Sequence, residues 1–443
     1  MSAIELKIDA LFGAFSETSP GCAAAVVRDG EVVFAKGYGM ADLEQGVAFT
    51  PRSACYMASV SKQFTALAIL LLVEDGRLEL DGLVRAHVPE LPDCAADITV
   101  RQLLTHTSGL RDYFALGYLS GLSSEHVYTE AGVLRLLSRQ EGLNFEPGAE
   151  FMYSNSGYVL LSILVQRVSG QTLDAFARER IFGPLGMAAT HFQHDHSTPV
   201  PHKAHGYELR GGEWHVSDSM LDVVGDGGMY SSLEDMSRWM KNFERPVVGA
   251  EALALMAVAA RRTNGDGTGY GMGLAPGRYR GLKVVEHAGG LAGYRTKFTA
   301  FPDENLSVVV LSNSGAADPS KLAMDVAEVF IGERMGEPAA TPPAPEPPTG
   351  EPVPAETAAA CVGDYESPEL QSIYRVASGP DGLSIAFGES APPLTLRSLG
   401  EDLMQVGPIA AEIRFLRDAD GRITGFLLSS NAGRVANLAF RRV

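Results

Sequence analysis

Ser59-Val60-Ser61-Lys62 opens the stretch SVSKQFTALAILLLVEDG (59–76), and the reading of this stretch decides the fold. Its apolar run, ALAILLLV (66–73), suits a buried helix and is far too short to span a bilayer. Two hydroxyls and an ammonium are odd choices for the mouth of such a helix. If Ser59 begins the helix, positions i and i+3 share a face, so the Lys62 amine reaches the Ser59 hydroxyl. Burial and the positive end of the helix both disfavour the ammonium form. A lysine so placed accepts a proton near neutral pH, and a serine needs such a base to become a nucleophile. The plainer alternative is a capping serine beside a lysine that snorkels to solvent. Composition alone yields about one or two S-x-x-K matches in a chain this long, so the tetrapeptide does not decide between them.

Two further segments bear on the choice. EFMYSNSGY carries Tyr153-Ser154-Asn155 ahead of a helical stretch. In an extended Y-x-N the first and third side chains point the same way, so a phenol and an amide share one cavity. A tyrosine whose pKa is lowered by a nearby ammonium shuttles protons. Glu286-His287-Ala288-Gly289-Gly290 closes a strand, and its small residues let backbone N–H groups come close to a ligand, as an oxyanion hole requires. The bland versions are a core aromatic at Tyr153 and a simple turn at Gly289-Gly290.

Taken in order, SVSK, YSN and HAGG resemble the active-site set of the serine β-lactamase and penicillin-binding protein superfamily, whose S-x-x-K element has a known mechanical role. The branch most similar is that of class C β-lactamases, D-stereospecific aminopeptidases and related esterases. LLTHTSGL (103–110), EPGAEFMYSNSGYVLLSILVQRVSG (146–170) and GDGGMYSSLEDMSRW (225–239) agree with it, and the likeness runs over roughly residues 5 to 334. The resemblance implies that Ser59 is the acylated nucleophile and Lys62 its base. It implies that Tyr153 assists proton transfer, that Asn155 orients the substrate amide, and that the N–H groups of Ser59 and Gly290 form the oxyanion hole beside Gly289. His287 would line the pocket and donate to Tyr153 or to a substrate carboxylate. No metal or cofactor is implied.

His287 is also the departure. β-Lactamases and transpeptidases usually carry a lysine there, a permanent cation, whereas histidine is largely neutral near pH 7. The likeness therefore shifts toward aminopeptidases and esterases acting on small peptides, amides or esters, with a D-residue at the acyl position. An esterase or weak β-lactamase of the same mechanism is the alternative. A sensor module that acylates without turnover is the alternative from another class, and the presence of both Lys62 and Tyr153 argues against it.

The chain has 443 residues, 45% of them hydrophobic and 20% charged, which is ordinary for a globular enzyme of two or three domains. Its formal charge of −18 with no basic run argues against nucleic acid and anionic membranes as partners. A small molecule or short peptide is the expected partner, and a homo-oligomer is compatible with the sequence. MSAIELKIDALFGAFSE reads as an amphipathic helix rather than a signal peptide, and the four cysteines (Cys22, Cys55, Cys94, Cys361) lack C-x-x-C spacing. Both features lead to the expectation of a cytoplasmic protein with free thiols.

Residues 335–357 are rich in Pro, Ala and Glu and read as an extended linker between a hydrolase domain, 1–334, and a C-terminal domain, 358–443. The latter shows short alternating strands (SIYRVAS, GLSIAF, PLTLRSL, AEIRFLR, RITGFLLSS, VANLAF) with turns at GPDG and DADG, the pattern of a small lipocalin-like antiparallel β-barrel. A loop of it is expected to reach over the active site. In the larger domain, a hairpin around Arg28-Asp29-Gly30 and the late strands KVVEHAGG, YRTKFTAF and LSVVVLSN flank a mostly helical middle. Strands from both ends must meet in one antiparallel sheet, flanked by helices, with a helical subdomain inserted: an α/β fold. His191, His194 and His196 in THFQHDHS lack a helical i, i+4 pair and read as a solvated loop, and His106 reads as structural. No G-x-S-x-G elbow, dinucleotide fingerprint or Walker A segment is present.

Overall fold

The structure is a computed structural model that describes residues 2–123, 126–337, 350–387, 392–407, 411–430 and 434–443. The hairpin predicted around Asp29-Gly30 forms, with β1 at Cys22–Arg28 and β2 at Glu31–Tyr38. Asp29 (φ 54°) and Gly30 (φ 79°) both adopt the left-handed conformation that a tight two-residue hairpin needs. On its other edge β1 pairs with the last strand of the same sheet, Cys22 opposite Ser312 and Arg28 opposite Leu306. With β3 (Ala275–Tyr279), β4 (Leu282–Leu291), β5 (Tyr294–Phe301) and β6 (Leu306–Ser312), the order is β3-β4-β5-β6-β1-β2, antiparallel throughout. The two ends of the domain therefore meet in one six-stranded sheet.

Strand β1 reads CAAAVVR because both its faces are covered. Cys22, Ala24 and Val26 pack with Ile8 of helix α1 (Ala3–Leu11), with Phe12 just past its end, and with Ala323, Val326 and Ala327 of a helix at Pro319–Ile331. The alternate residues Ala23, Ala25 and Val27 face the main core instead. That core holds helix α2 (Lys62–Glu74), helix α3 (Asn155–Ser169) and the fully buried Trp239. The inserted helical part thus lies on one face of the sheet, and the cleft lies where its helices meet strand β4.

Eight strands close the C-terminal barrel: β7 Gly363–Ser367, β8 Ser372–Gly379, β9 Gly382–Phe387, β10 Leu394–Gly400, β11 Leu403–Val406, β12 Ala411–Arg417, β13 Ile423–Ser430 and β14 Val435–Arg442. Each pairs with the next, and β14 returns to β7. Inward positions carry Tyr365, Tyr374, Phe415, Phe426 and Phe440, with Phe426 stacked on Phe440 at 4.6 Å. The sequence pattern missed β7 and β11. GDYES has one aromatic between charged neighbours, and LMQV is too short to show an alternation.

The segment expected as linker, 335–357, is described only outside 338–349. Within it Glu351–Pro352 pair with Ser398 and Arg397 of β10, and a helix at Ala355–Cys361 crosses the expected boundary at 357/358. AETAAAC is a run of good helix formers behind Pro354, and that local propensity outweighs the proline-rich flank. Among the described residues no helix is long and apolar enough to cross a membrane, and all four cysteines are free thiols.

The barrel is fixed to the helical subdomain by a buried ion pair. Arg111 and Glu369 contact one another with side chains each 2% exposed. Arg111 also donates to Gln140 Oε1 at 2.8 Å and to the Asn437 carbonyl at 3.1 Å. A buried pair this fully hydrogen-bonded fixes how two domains dock.

Candidate active site

Ser59 does not begin a helix, as the sequence suggested. It lies in a 3₁₀ turn at Ala58–Ser61, and α2 starts at Lys62. Ala58 is held at φ 46°, a left-handed conformation that interrupts regular helix. The turn is held in place from two sides: the Thr296 hydroxyl donates to the Met57 carbonyl at 2.8 Å, and the Met57 N–H donates to Met229 at 2.8 Å. The i, i+3 relation survives because side chains three apart eclipse in a 3₁₀ turn. Lys62 Nζ lies 3.1 Å from Ser59 Oγ.

Lys62 has no exposed surface, and its amine also donates to Asn155 Oδ1 at 2.9 Å and to the Asp226 carbonyl at 2.6 Å. Burial pulls its pKa down to about 7, against the upward pull of the Asp226 and Asp112 carboxylates. Asn155, the first residue of α3, was expected to meet a substrate amide. Both ends of its side chain are taken instead, since Nδ2 and its own backbone N–H each donate to Asp112 Oδ2 at 2.8 Å.

Tyr153 is half-buried; its hydroxyl is shut off from solvent and has no hydrogen-bond partner among the described residues. Its ring packs against that of His106, tilted by 35° with centres 4.1 Å apart, and Lys62 Nζ and the Arg434 guanidinium lie 4.9 Å and 4.6 Å from its centre. The lowered phenol pKa expected from a nearby ammonium is not found. Burial raises it, outweighing the opposing effects of the Ser59 hydroxyl and Arg434. His106, at φ 56°, accepts the Ser154 N–H on Nδ1 at 3.1 Å and is kept neutral by burial, so it supports the tyrosine from behind.

On the strand wall, His287 is 6% exposed. Its Nδ1 lies 2.7 Å from the Ala288 carbonyl, a contact only an N–H satisfies, so Nε2 accepts from the Tyr270 hydroxyl at 2.9 Å. The expected hydrogen bond to Tyr153 is absent, the two rings being 6.2 Å apart. Burial, with Lys62 nearby, drops the pKa of His287 to about 3, so His287 itself supplies no cation at neutral pH. A Cβ on Gly289 would sit 2.5 Å from the Met57 carbonyl and 3.1 Å from the Ser59 nitrogen, so only glycine lets β4 touch the nucleophile turn. Gly290 is exposed along the same strand.

Ser59, Tyr153, Asn155, His287, Gly289 and Gly290 line one cavity of about 770 Å³ together with Asp226 and Arg434, and Lys62 lies behind the serine. Asp112, Asp226 and Arg434 were not picked out from sequence. Asp226 is buried, takes the Tyr113 hydroxyl on Oδ2 at 3.0 Å, and is raised toward neutrality by burial. Its position within Gly225-Asp226-Gly227-Gly228 was the available signal. Of the histidines in THFQHDHS, His191 lies on a short strand, and only His196 joins a group of metal-ligating type, with Asp195 and Asp222. His196 Nδ1 and Asp222 are already bonded at 2.8 Å.

The β-lactamase family profile matches residues 8–331. The chain belongs to the β-lactamase family. Among relatives, a D-aminopeptidase of Brucella anthropi is 33% identical over 315 residues, 70% of this chain and 59% of that protein. A D-aminopeptidase of Cereibacter sphaeroides is 30% identical over 409 residues, 91% of this chain and 73% of that one. The octameric penicillin-binding protein homologue from Pyrococcus abyssi superposes with a TM-score of 0.64 at 25% identity, over 99% of this chain and 98% of that chain. The chain thus spans only part of the length of these two D-aminopeptidases, while the barrel-bearing architecture of this β-lactamase family member is matched end to end by a solved structure.

Proposed function

We propose that this protein is a serine hydrolase that cleaves D-aminoacyl amide or peptide bonds through a Ser59 acyl-enzyme. The observation that carries the reading is the buried Lys62 amine, 3.1 Å from Ser59 Oγ, with a pKa brought down to about 7. In its neutral form the amine takes the Ser59 proton as Oγ attacks the substrate carbonyl. The C–N bond then breaks, and the proton reaches the leaving amine with help from the Tyr153 hydroxyl. Water attacks the resulting ester, the same groups run in reverse, and the acid departs. Because burial keeps Tyr153 a phenol, Lys62 is the operative base and Tyr153 a proton relay. The N–H groups of Ser59 and Gly290 would hold the oxyanion. Asn155 keeps the amine aimed at Ser59, and His287 and Gly289 shape the strand wall. The D-preference rests on the names of the relatives.

The test is mass spectrometry at short times with a D-alanine p-nitroanilide, its L-enantiomer and a short-chain p-nitrophenyl ester, with Ser59→Ala alongside. Turnover of the D-amide that is lost in the variant supports the reading. Ester turnover without amide cleavage would make the protein an esterase, and a stable adduct on Ser59 without product would make it a sensor. Full activity in Ser59→Ala would reject the mechanism. The likeness to the octameric homologue supports a homo-oligomer as well, and light scattering that reads a monomer would reject that.

A further inference from the structure

We infer that Arg434, supplied by the barrel, is the residue that binds a carboxylate on the leaving-group side of the substrate. The favoured substrates would then be D-aminoacyl peptides with a free C-terminal carboxylate, rather than simple amides. This rests on the serine-hydrolase reading above and adds to it a substrate class and a residue.

Three basic side chains with permanent charge line the cavity: Arg295, Lys297 and Arg434. Two of them are committed. Arg295 Nη1 donates to the Ala292 and Tyr294 carbonyls at 2.8 and 2.7 Å, and Lys297 is ion-paired with Glu286 at 2.9 Å. Arg434 is different. Its one polar side-chain contact among the described residues is at 3.4 Å, to Asp112 Oδ2, an oxygen that already accepts twice from Asn155 at 2.8 Å. A guanidinium offers five N–H donors in a flat fork that matches a carboxylate, and most of this fork has no partner among the described residues. His287, on the strand wall, is neutral.

The residue is also held in position. Its carbonyl accepts from Asn144 Nδ2 at 3.0 Å, and the same asparagine takes the Ala436 N–H on Oδ1 at 2.7 Å. The Arg111–Glu369 pair anchors the barrel beside it. The guanidinium lies 4.6 Å from the centre of the Tyr153 ring, the group proposed to hand a proton to the leaving amine. In a dipeptide substrate the carboxylate sits one carbon beyond that amine. A carboxylate on Arg434 therefore places the departing nitrogen beside the phenol, with the acyl carbon toward Ser59.

The experiment compares D-alanyl-D-alanine with D-alanyl-D-alanine amide, two substrates that differ only in the terminal carboxylate. Steady-state kinetics on the wild type, Arg434→Ala and Arg434→Lys give the ratio of kcat/KM for acid over amide. A charge-assisted pair lost from a half-buried site predicts that Arg434→Ala lowers this ratio roughly tenfold or more, chiefly through KM, with partial recovery in Arg434→Lys. An unchanged ratio overturns the inference, including the case in which both substrates suffer equally. Calorimetric binding of the same two compounds to Ser59→Ala protein, with and without Arg434→Ala, separates the two readings. Tighter binding of the acid that depends on Arg434 sustains the inference even if no peptide is cleaved. Equal binding of acid and amide rejects it even if the protein proves to be a D-aminopeptidase.

Discussion

Lys62 on the helical wall and His287 on the strand wall are both basic side chains taken out of water, the first with no exposed surface and the second with 6%. Desolvation pulls both toward the neutral form. They come to rest in different places chiefly because an amine starts about four pH units above an imidazole, and the two fall by similar amounts. Asp226 and Asp112 oppose the shift at Lys62 and leave it near 7, whereas His287 has a phenol, a carbonyl and two lysine charges around it and falls to about 3. Burial supplies the push, and the ordinary pKa of each base decides whether it still titrates in the working range. One wall thus holds a group poised to take a proton, and the other a group that stays neutral.

Removing each base is the harshest way to break that comparison. Lys62→Ala is expected to lower kcat/KM on a D-alanine p-nitroanilide by roughly a thousandfold or more, the scale of losing a unit of a nucleophile–base set. His287→Gln is expected to lose less than about tenfold on the same substrate, since no charge disappears. Equal losses would mean that the walls are chemically alike. Gly289→Ala tests the backbone contact between the walls. Its methyl group collides with the Met57 carbonyl and the Ser59 nitrogen, so activity should fall roughly a hundredfold through displaced geometry. Thermal unfolding should show a loss of about 1–3 kcal/mol from overpacking. Wild-type stability and rate in this variant would show that the turn is not held against β4.

The pH profile sharpens the comparison further. The wild-type kcat/KM should rise with pH through about 7 as Lys62 loses its proton. Asp226→Asn removes an anion that favours the ammonium, so the pKa of Lys62 falls and the acidic limb moves to lower pH. A limb that stays put would mean that Asp226 does not set that pKa. The smallest expected effect is in His287→Gln, whose limb should remain near 7, because His287 is already neutral across that range. Loss of the limb there would assign it to the histidine.

Ser59, Lys62 and Tyr153 were legible because each sits in a short segment whose local chemistry is unusual for a core. The meeting of the sheet's two ends was legible too, from a hairpin early and apolar strands late. Asp112, Asp226 and Arg434 were not, since each is a single residue that matters only for where tertiary structure puts it. Arg434 arrives from the C-terminal barrel, far along the chain. The direction of the Tyr153 shift was misread for a related reason: the sequence offers a nearby ammonium but not the depth of burial. The start of α2 was misplaced because the turn before it is set by contacts of Met57 with Met229 and Thr296, which are remote in sequence.

The pairing of β1 with β6 has a consequence for how the chain is made. Cys22–Arg28 leaves the ribosome early, but its partner Leu306–Ser312 emerges only near the end of the domain. Until then one edge of CAAAVVR, apolar on both faces, stays without a partner, and contacts this remote in sequence form slowly. Synthesis of this domain therefore passes through a long interval with a sticky, unpaired strand. A nascent chain that stalls before residue 306 would carry that open edge permanently and be a ready template for aggregation.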